Sequence, residues 1–232
     1  MFQLRELFQQ NIHKLRLDIM SANGNAVDIL AENPDRIDWL HLSRNPNALH
    51  LLEANPDKIN WCELSLNPNA IHILEQNLDK VDWRMLNLNP NAVHILEANP
   101  DKIDWMYLSR NENAIHLLEA NPEDTIWFSL SLNPNALHIL EANPDKIDWK
   151  LLSRNPKAIH LLEANPDKIN WSMISSNPNA IHILEQNLNS IDWRLLCSNP
   201  NAIHLLEEKQ DNINWITISS NPSIFEEIFY MK

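Results

Sequence analysis

The chain has 232 residues, of which 44% are hydrophobic, and carries a formal charge of -13 at pH 7. That balance argues against general binding to a phosphate backbone, which depends on clustered Lys and Arg, while leaving room for local basic rows. A lone glycine, Gly24, supplies little of the turn chemistry of β-hairpins, and no apolar run of about 18 residues offers a bilayer span.

Residues 1–22 follow a 22-residue period in degraded form. Leu4, Leu7 and Phe8 stand where later copies carry Ala48, Leu51 and Leu52, and Leu17 and Met20 stand where they carry Trp61 and Leu64. Arg5 and Glu6 replace an apolar residue and His50. This is the expected pattern of an N-terminal cap whose outer face meets water.

From residue 23 the consensus settles, with residues 45–66, NPNALHLLEANPDKINWCELSL, as its reference copy. All nine tryptophans, from Trp39 to Trp215, recur every 22 residues without insertion or deletion, the signature of a repeat protein. Asn45-Pro46 predicts the start of a helix A over residues 46–54, with Asn45 as N-cap and Pro46 where its missing N–H costs nothing. On a helical wheel Ala48, Leu49, Leu51 and Leu52 form an apolar arc opposite Asn47, His50 and Glu53. Asn55 suits a left-handed position after the helix, and Asn55-Pro56-Asp57-Lys58 matches a type I turn. Asn60, usually Asp in other copies, caps a short helix B over residues 61–66 that can be partly 3₁₀. Trp61 and Leu64 share its core-facing side.

Local departures punctuate the pattern. Glu112 replaces the first proline, and PEDTIW replaces PDKIDW, so that Ile126 takes the cap slot. Leu78 and Leu188 replace the turn proline, and they lie 110 residues apart, as do Arg44 and Arg154 and also Arg84 and Arg194. A five-repeat block was duplicated, so identity between copies partly records copying. Residues 221–232 begin another helix A with Phe225, Glu226, Glu227, Ile228 and Phe229, expected as a C-terminal cap whose two phenylalanines close the last open face.

One unit cannot fold alone. Five large apolar side chains contribute about 1.5–3 kcal/mol each, whereas ordering 22 residues costs about 1.5 kcal/mol per residue. The expected fold is therefore an all-α, right-handed α-solenoid of about ten units in a single repeat domain, residues 1–232. Its parts are an N-terminal cap (1–22), repeats (23–220) and a C-terminal cap (221–232). Handedness is taken by analogy with other α-solenoids, and helix spacing of about 8–10 Å would give a rod or superhelix roughly 90 Å long.

The repeat NPNAIHLLEANPDKIDW with its Leu-Ser-x-Asn-Pro return resembles the asparagine- and proline-rich repeats of mimivirus-type giant viruses over about residues 23–222. The resemblance implies no activity that can be carried over to residues, and it would place the chain in a host cytoplasm or a virus particle. In logic the unit is also similar to leucine-rich repeat variants, which pair an α-helix with a 3₁₀-helix. An ordinary leucine-rich repeat fits poorly, because His50 and Asn47 would fall on leucine positions.

The residues with most chemistry form a candidate interaction ridge. It consists of Asn47 and the steps His50 with Glu53, His72 with Glu75, His94 with Glu97, His116 with Glu119, His138 with Glu141, His160 with Glu163, His182 with Glu185, and His204 with Glu207. At i and i+3 each imidazole is expected beside its own unit's carboxylate. A closed zinc site needs four ligands, so no metal and no cofactor is assigned. A solvated ridge hydrogen-bonded to Glu53 or to a neighbour's Asn47 is the simplest reading, with a metal-binding or pH-responsive ridge as the sharper one. The tryptophans are expected in the core, since Ile59 and Leu64 accompany them. The asparagines at 45, 47 and 55 read as caps and turn residues, or alternatively as a ladder that holds an extended peptide. Lys58, Lys80, Lys102, Lys146 and Lys168 read as a solvated edge.

No phosphate-cradling glycine loop is present, and the repeated Ser65-type serine lacks a unique base and orienter, so no catalytic residue is assigned. Cys62 and Cys197, on different repeats, are expected as free thiols in a reducing, cytoplasmic setting. The expected function is a non-enzymatic scaffold for a protein or peptide partner, without nucleic acid or membrane. A self-associating structural or virion-associated component is the alternative.

Overall fold

A computed structural model describes residues 2–227. It contains twenty α-helices of four to six residues, interspersed with 3₁₀ turns, and two three-residue strands. Helices this short have no stability in isolation, so each exists because its neighbours cover it.

In the reference unit helix A spans Leu49–Glu53, shorter than the expected 46–54. The reason lies in Asn45, whose Oδ1 accepts the Asn47 N–H at 3.0 Å. This local side-chain turn competes with helix, and Ala48 follows at φ -101°, ψ 13°. The 3₁₀ geometry expected in helix B occurs instead at the turn, Pro56–Lys58, while helix B is α-helical over Trp61–Ser65. Asn60 caps helix B as expected, its Oδ1 accepting the Glu63 N–H at 3.0 Å, and Asp82, Asp148 and Asp192 repeat the device. Asn55 is not left-handed. Its φ is -136°, and its Nδ2 donates back to the Leu51 carbonyl at 2.9 Å, satisfying an otherwise orphaned helix-end acceptor.

Ala48, Leu52 and Leu64 are each fully buried, and their equivalents make one continuous core. The tryptophans flank this core and are not inside it. Trp61 and its equivalents are half-buried against it, and lysines of the turn cover some of them. Lys80 Nζ lies 4.8 Å from the Trp61 ring and Lys168 Nζ 4.3 Å from the Trp149 ring, at cation–π distance. Lys58 and Lys102 instead pair with Asp57 and Asp101.

The largest departure from expectation is at the ends, which meet. Strand β1 (Phe2–Leu4) pairs antiparallel with strand β2 (Phe225–Glu227), with Leu4 opposite Phe225. The Arg5 N–H donates to the Ile224 carbonyl at 2.9 Å, and Phe8 packs edge-on to Trp215 with centroids 6.1 Å apart. These contacts continue the interior rule. Inside the array the Asn60 N–H donates to Ser43 Oγ, 17 residues earlier. Across the junction the Arg16 N–H donates to Ser219 Oγ, 203 residues away, which is 17 short of ten 22-residue periods.

The ten units therefore close into a ring, each turning by about 36°. Neither the rod nor a pair of water-facing caps is formed. Residues 1–22 and the segment from Asn221 complete one another, and Phe8 and Met20 are fully buried in the slots of Leu52 and Leu64. Phe225 is buried as expected, whereas Ile228 and Phe229 lie outside the described residues. The two strands at this seam are the exception to an otherwise helical chain.

Candidate functional site

Three ladders of side chains run around the ring, and their chemistry separates framework from candidate site. Most deeply buried in its side-chain bonds between units is the asparagine ladder. Asn45 is fully buried, and its Nδ2 donates to the carbonyl of Asn23, which opens the preceding unit, and to that of Ser21 just before it, both at 3.0 Å. Asn67, Asn89, Asn111, Asn133, Asn155, Asn177, Asn199 and Asn221 do the same. Asn23 completes the circle by donating to the Asn221 carbonyl at 3.0 Å. From Asn45 to Asn221 both N–H groups of each amide are thus spent inside the protein, which removes the reading of this buried ladder as a holder of foreign peptide.

The second ladder is serine. Ser65 Oγ donates to the Trp61 carbonyl at 2.7 Å and accepts the Asp82 N–H of the next unit at 3.1 Å. Asn87 replaces the serine in one unit and performs both tasks. Cys197 replaces it in another, where Sγ accepts the Asn214 N–H at 3.3 Å. Burial pushes the Cys197 thiol pKa up against the lowering effect of that N–H. Both cysteines are free.

The third ladder is the predicted ridge, and its pairing differs from expectation. His72 Nε2 meets Glu53 Oε1 at 3.1 Å, so the glutamate belongs to the preceding unit, 19 residues back. The same bridge joins Glu75 to His94, Glu97 to His116, Glu119 to His138, Glu141 to His160, Glu163 to His182 and Glu185 to His204, at 2.8–3.0 Å. His50 faces the slot that holds Ala31, so the series starts at His72. Asn47 is engaged as well, its Nδ2 donating to the Gly24 carbonyl at 3.0 Å. The ridge is brought together as a string of bridges between units, each about half-exposed. Among the described residues no group of three or more His, Cys, Asp or Glu side chains could hold a metal ion.

A fourth set of residues was not singled out by sequence reasoning. The position after the buried serine, occupied by Arg44, Leu66, Leu88, Arg110, Leu132 and Arg154 in six successive units, lines one cavity of about 360 Å³. Equivalent side chains from consecutive units converge on one space only on the inner wall of a ring, so this cavity is part of the central opening. Burial lowers the Arg110 pKa first, and the charges of Arg154 and Arg44 lower it further, against a raising effect of Tyr107. Four residues earlier, on the same face of helix B, stand Leu40, Met106, Phe128 and Ile216, exposed at 46%, 43%, 48% and 54%.

The available signal was variation among copies. The ladder positions repeat the same residue, while these helix B positions do not: Leu40, Cys62, Arg84, Met106, Phe128 and Lys150 occupy one slot in turn. No protein-family model, curated protein or solved structure matches the chain.

Proposed function

We propose that the ring is a non-enzymatic scaffold for protein–protein interaction, and that the partner docks on the variable face of helix B. The observation carrying this reading is the exposure of Leu40, Met106, Phe128 and Ile216 at one variable slot of a repeat whose buried ladders are nearly uniform. A fold that needs the same residue at its ladder positions is indifferent at this slot, and exposed aromatic and methionine side chains are those enriched in protein interfaces. The uniform ridge of His72 and its equivalents is in this reading part of the framework that joins units.

The test compares two variants in affinity capture from a cell lysate. Met106→Ser/Phe128→Ser is expected to lose a partner that the unaltered protein retains, while His94→Ala/His116→Ala keeps it. Loss by the ridge variant alone would return the interaction to the ridge. A structural, self-associating role is less well supported, since ring closure consumes both ends of the array. Stacking of rings face to face is the form it would take, and light scattering coupled to size-exclusion chromatography would reveal it as a mass above that of one chain. No helix among the described residues is long and apolar enough to cross a membrane, and a location in cytoplasm or virus particle belongs to this proposal.

A further inference from the structure

The central opening carries a charge opposite to that of the protein around it. Going round the ring, the lumen slot holds Arg44, Arg110 and Arg154 among Leu, Ser and Ala, and no Asp or Glu occupies it in any unit, although the chain as a whole is at -13. Among the described residues the guanidinium groups of Arg44, Arg110 and Arg154 make neither an ion pair nor a hydrogen bond, in contrast to Arg16, which is paired with Asp18.

Arg44 and Arg154 are 110 residues apart, half of ten 22-residue periods, so the ring sets them on opposite sides of the axis with Arg110 between them. The mutual repulsion is felt, since Arg154 and Arg44 both lower the Arg110 pKa. The three exposed guanidinium groups face one space without a counter-charge, and an anion there would be attracted by all of them. On the remaining arc the Ser176, Ser198 and Ser220 hydroxyls each donate to a carbonyl three residues back, so no acidic group stands in this slot opposite the arginines.

We propose that the central opening is a binding site for a compact multivalent oxyanion, of the pyrophosphate or tripolyphosphate class, gripped from opposite sides by Arg44 and Arg154 and from between them by Arg110. Guanidinium forks match the geometry of phosphoryl oxygens and bond them in pairs. A lumen lined by one sign of charge between protein walls concentrates the field on the ligand, and the cavity of about 360 Å³ lies in the range of small-molecule sites, roughly 300–1,000 Å³. The arginine slot lies one helical turn from the docking residues on the same face of helix B, so the two readings are told apart by residue: loss of anion binding in the arginine variants tests this site and not the docking of a partner.

Titration of the full chain with inorganic pyrophosphate and tripolyphosphate, followed by calorimetry and thermal unfolding, tests the assignment. One anion per chain is expected, with a rise in Tm. Arg44→Gln/Arg154→Gln should weaken binding at least tenfold and Arg110→Gln several-fold, while Lys58→Gln/Lys146→Gln, which removes the same charge from the outer turns, should leave it within twofold. Circular dichroism establishes that each variant is folded, and Arg44→Lys/Arg154→Lys, which keeps the charge without the fork, should retain part of the affinity. No binding at millimolar anion in low salt, or equal losses in the lumen and outer-turn variants, overturns the proposal.

Discussion

The seam unit and an interior unit such as residues 67–88 do the same structural work with different residues. The interior unit has the consensus Asn-Pro, His, Glu and Trp, and it is tied to its neighbours by the chain. The seam unit joins Asn221 and Pro222 to helix Glu6–Gln10 across a gap in the chain, bridged by β1 and β2. It has lost the helix A histidine and keeps only what the ladders require: a buried apolar residue in each core slot, here Phe8 and Met20, and acceptors at Ser219 and Asn221. Closure therefore depends on ladder register and core volume and not on the consensus as such. Among the described residues the two parts of the seam unit are held together by non-covalent contacts alone.

The largest effect that separates the two regions is expected from truncating their buried side chains. Phe8→Ala should destabilise by about 3–5 kcal/mol and Leu140→Ala by about 2–5 kcal/mol, but the manner should differ. In hydrogen exchange the seam variant should lose protection first at residues 2–5 and 224–227, with an expanded hydrodynamic radius at low denaturant. The interior variant should lose protection over its own and flanking units. Identical exchange patterns would mean that the seam is no weaker than the rest.

The asparagine ladder sharpens the same contrast. Asn133→Ala removes donors to the Ser109 and Asn111 carbonyls and the acceptor of the Asn135 N–H, and each buried group left unpaired costs about 1–3 kcal/mol. A loss on the order of 3 kcal/mol or more is expected in urea denaturation. Asn23→Ala should cost a similar amount, because in a closed ring Asn23 has a preceding unit to bond, through the Asn221 carbonyl. An open array would leave Asn23 with no such partner, so a negligible loss there would refute closure.

A smaller effect is expected at the serine ladder. Cys197→Ser restores a hydroxyl that can donate to the Trp193 carbonyl, as Ser65 does toward Trp61, and a gain of about 0.5–1.5 kcal/mol is expected. Cys197 is also a reporter. Both thiol pKa values are raised, that of Cys62 by burial and the neighbouring Asp82 and that of Cys197 by burial, so the difference between them is access: Cys197 is fully buried, whereas Cys62 is partly exposed. Cys62 should react first with a disulfide reagent, and Cys197 at a rate limited by opening of its unit; faster labelling of Cys197 in Phe8→Ala would tie that opening to the seam.

Much of this architecture was legible in the sequence, and the parts that were not share a cause. The period, the Asn60-type caps, the proline turn and the buried Leu52 and Leu64 follow from local rules acting within one unit. Some misses are local, such as the start of helix A, where Asn45 bonds the Asn47 N–H, but the consequential ones involve contacts between units. Asn45 reads as a helix cap because the carbonyls of Ser21 and Asn23 that accept from its side chain are invisible to a wheel, and His72 reads as the partner of Glu75 because i and i+3 adjacency is local, whereas the bridge to Glu53 needs the stacking offset. Closure was hidden because degraded end repeats normally mean caps. The clue lay in Phe8 and Met20, which are too large and apolar for a face turned to water. In the sequence Arg44 and Arg154 stand out only as a mark of duplication and Arg110 not at all, since their convergence depends on the ring.

The smallest effect is expected where the sequence pattern is most conspicuous. Bridges such as His94 with Glu75 are about half-exposed on both sides, and exposed pairs contribute about 0–1 kcal/mol. His94→Ala and Glu75→Ala should each cost less than about 1 kcal/mol, with a coupling energy in the double-mutant cycle of no more than about 0.5 kcal/mol. The contrast with Asn133, one of the buried amides, is the informative quantity: two ladders with the same period, both joining consecutive units, differ in energy because water competes for one and not the other. A coupling above about 1.5 kcal/mol would show that the ridge shares the work of holding units in register. A value near zero would mean that the register survives without it, leaving the repeated His and Glu to be explained by the copying of whole repeats or by a partner that reads the ridge from outside.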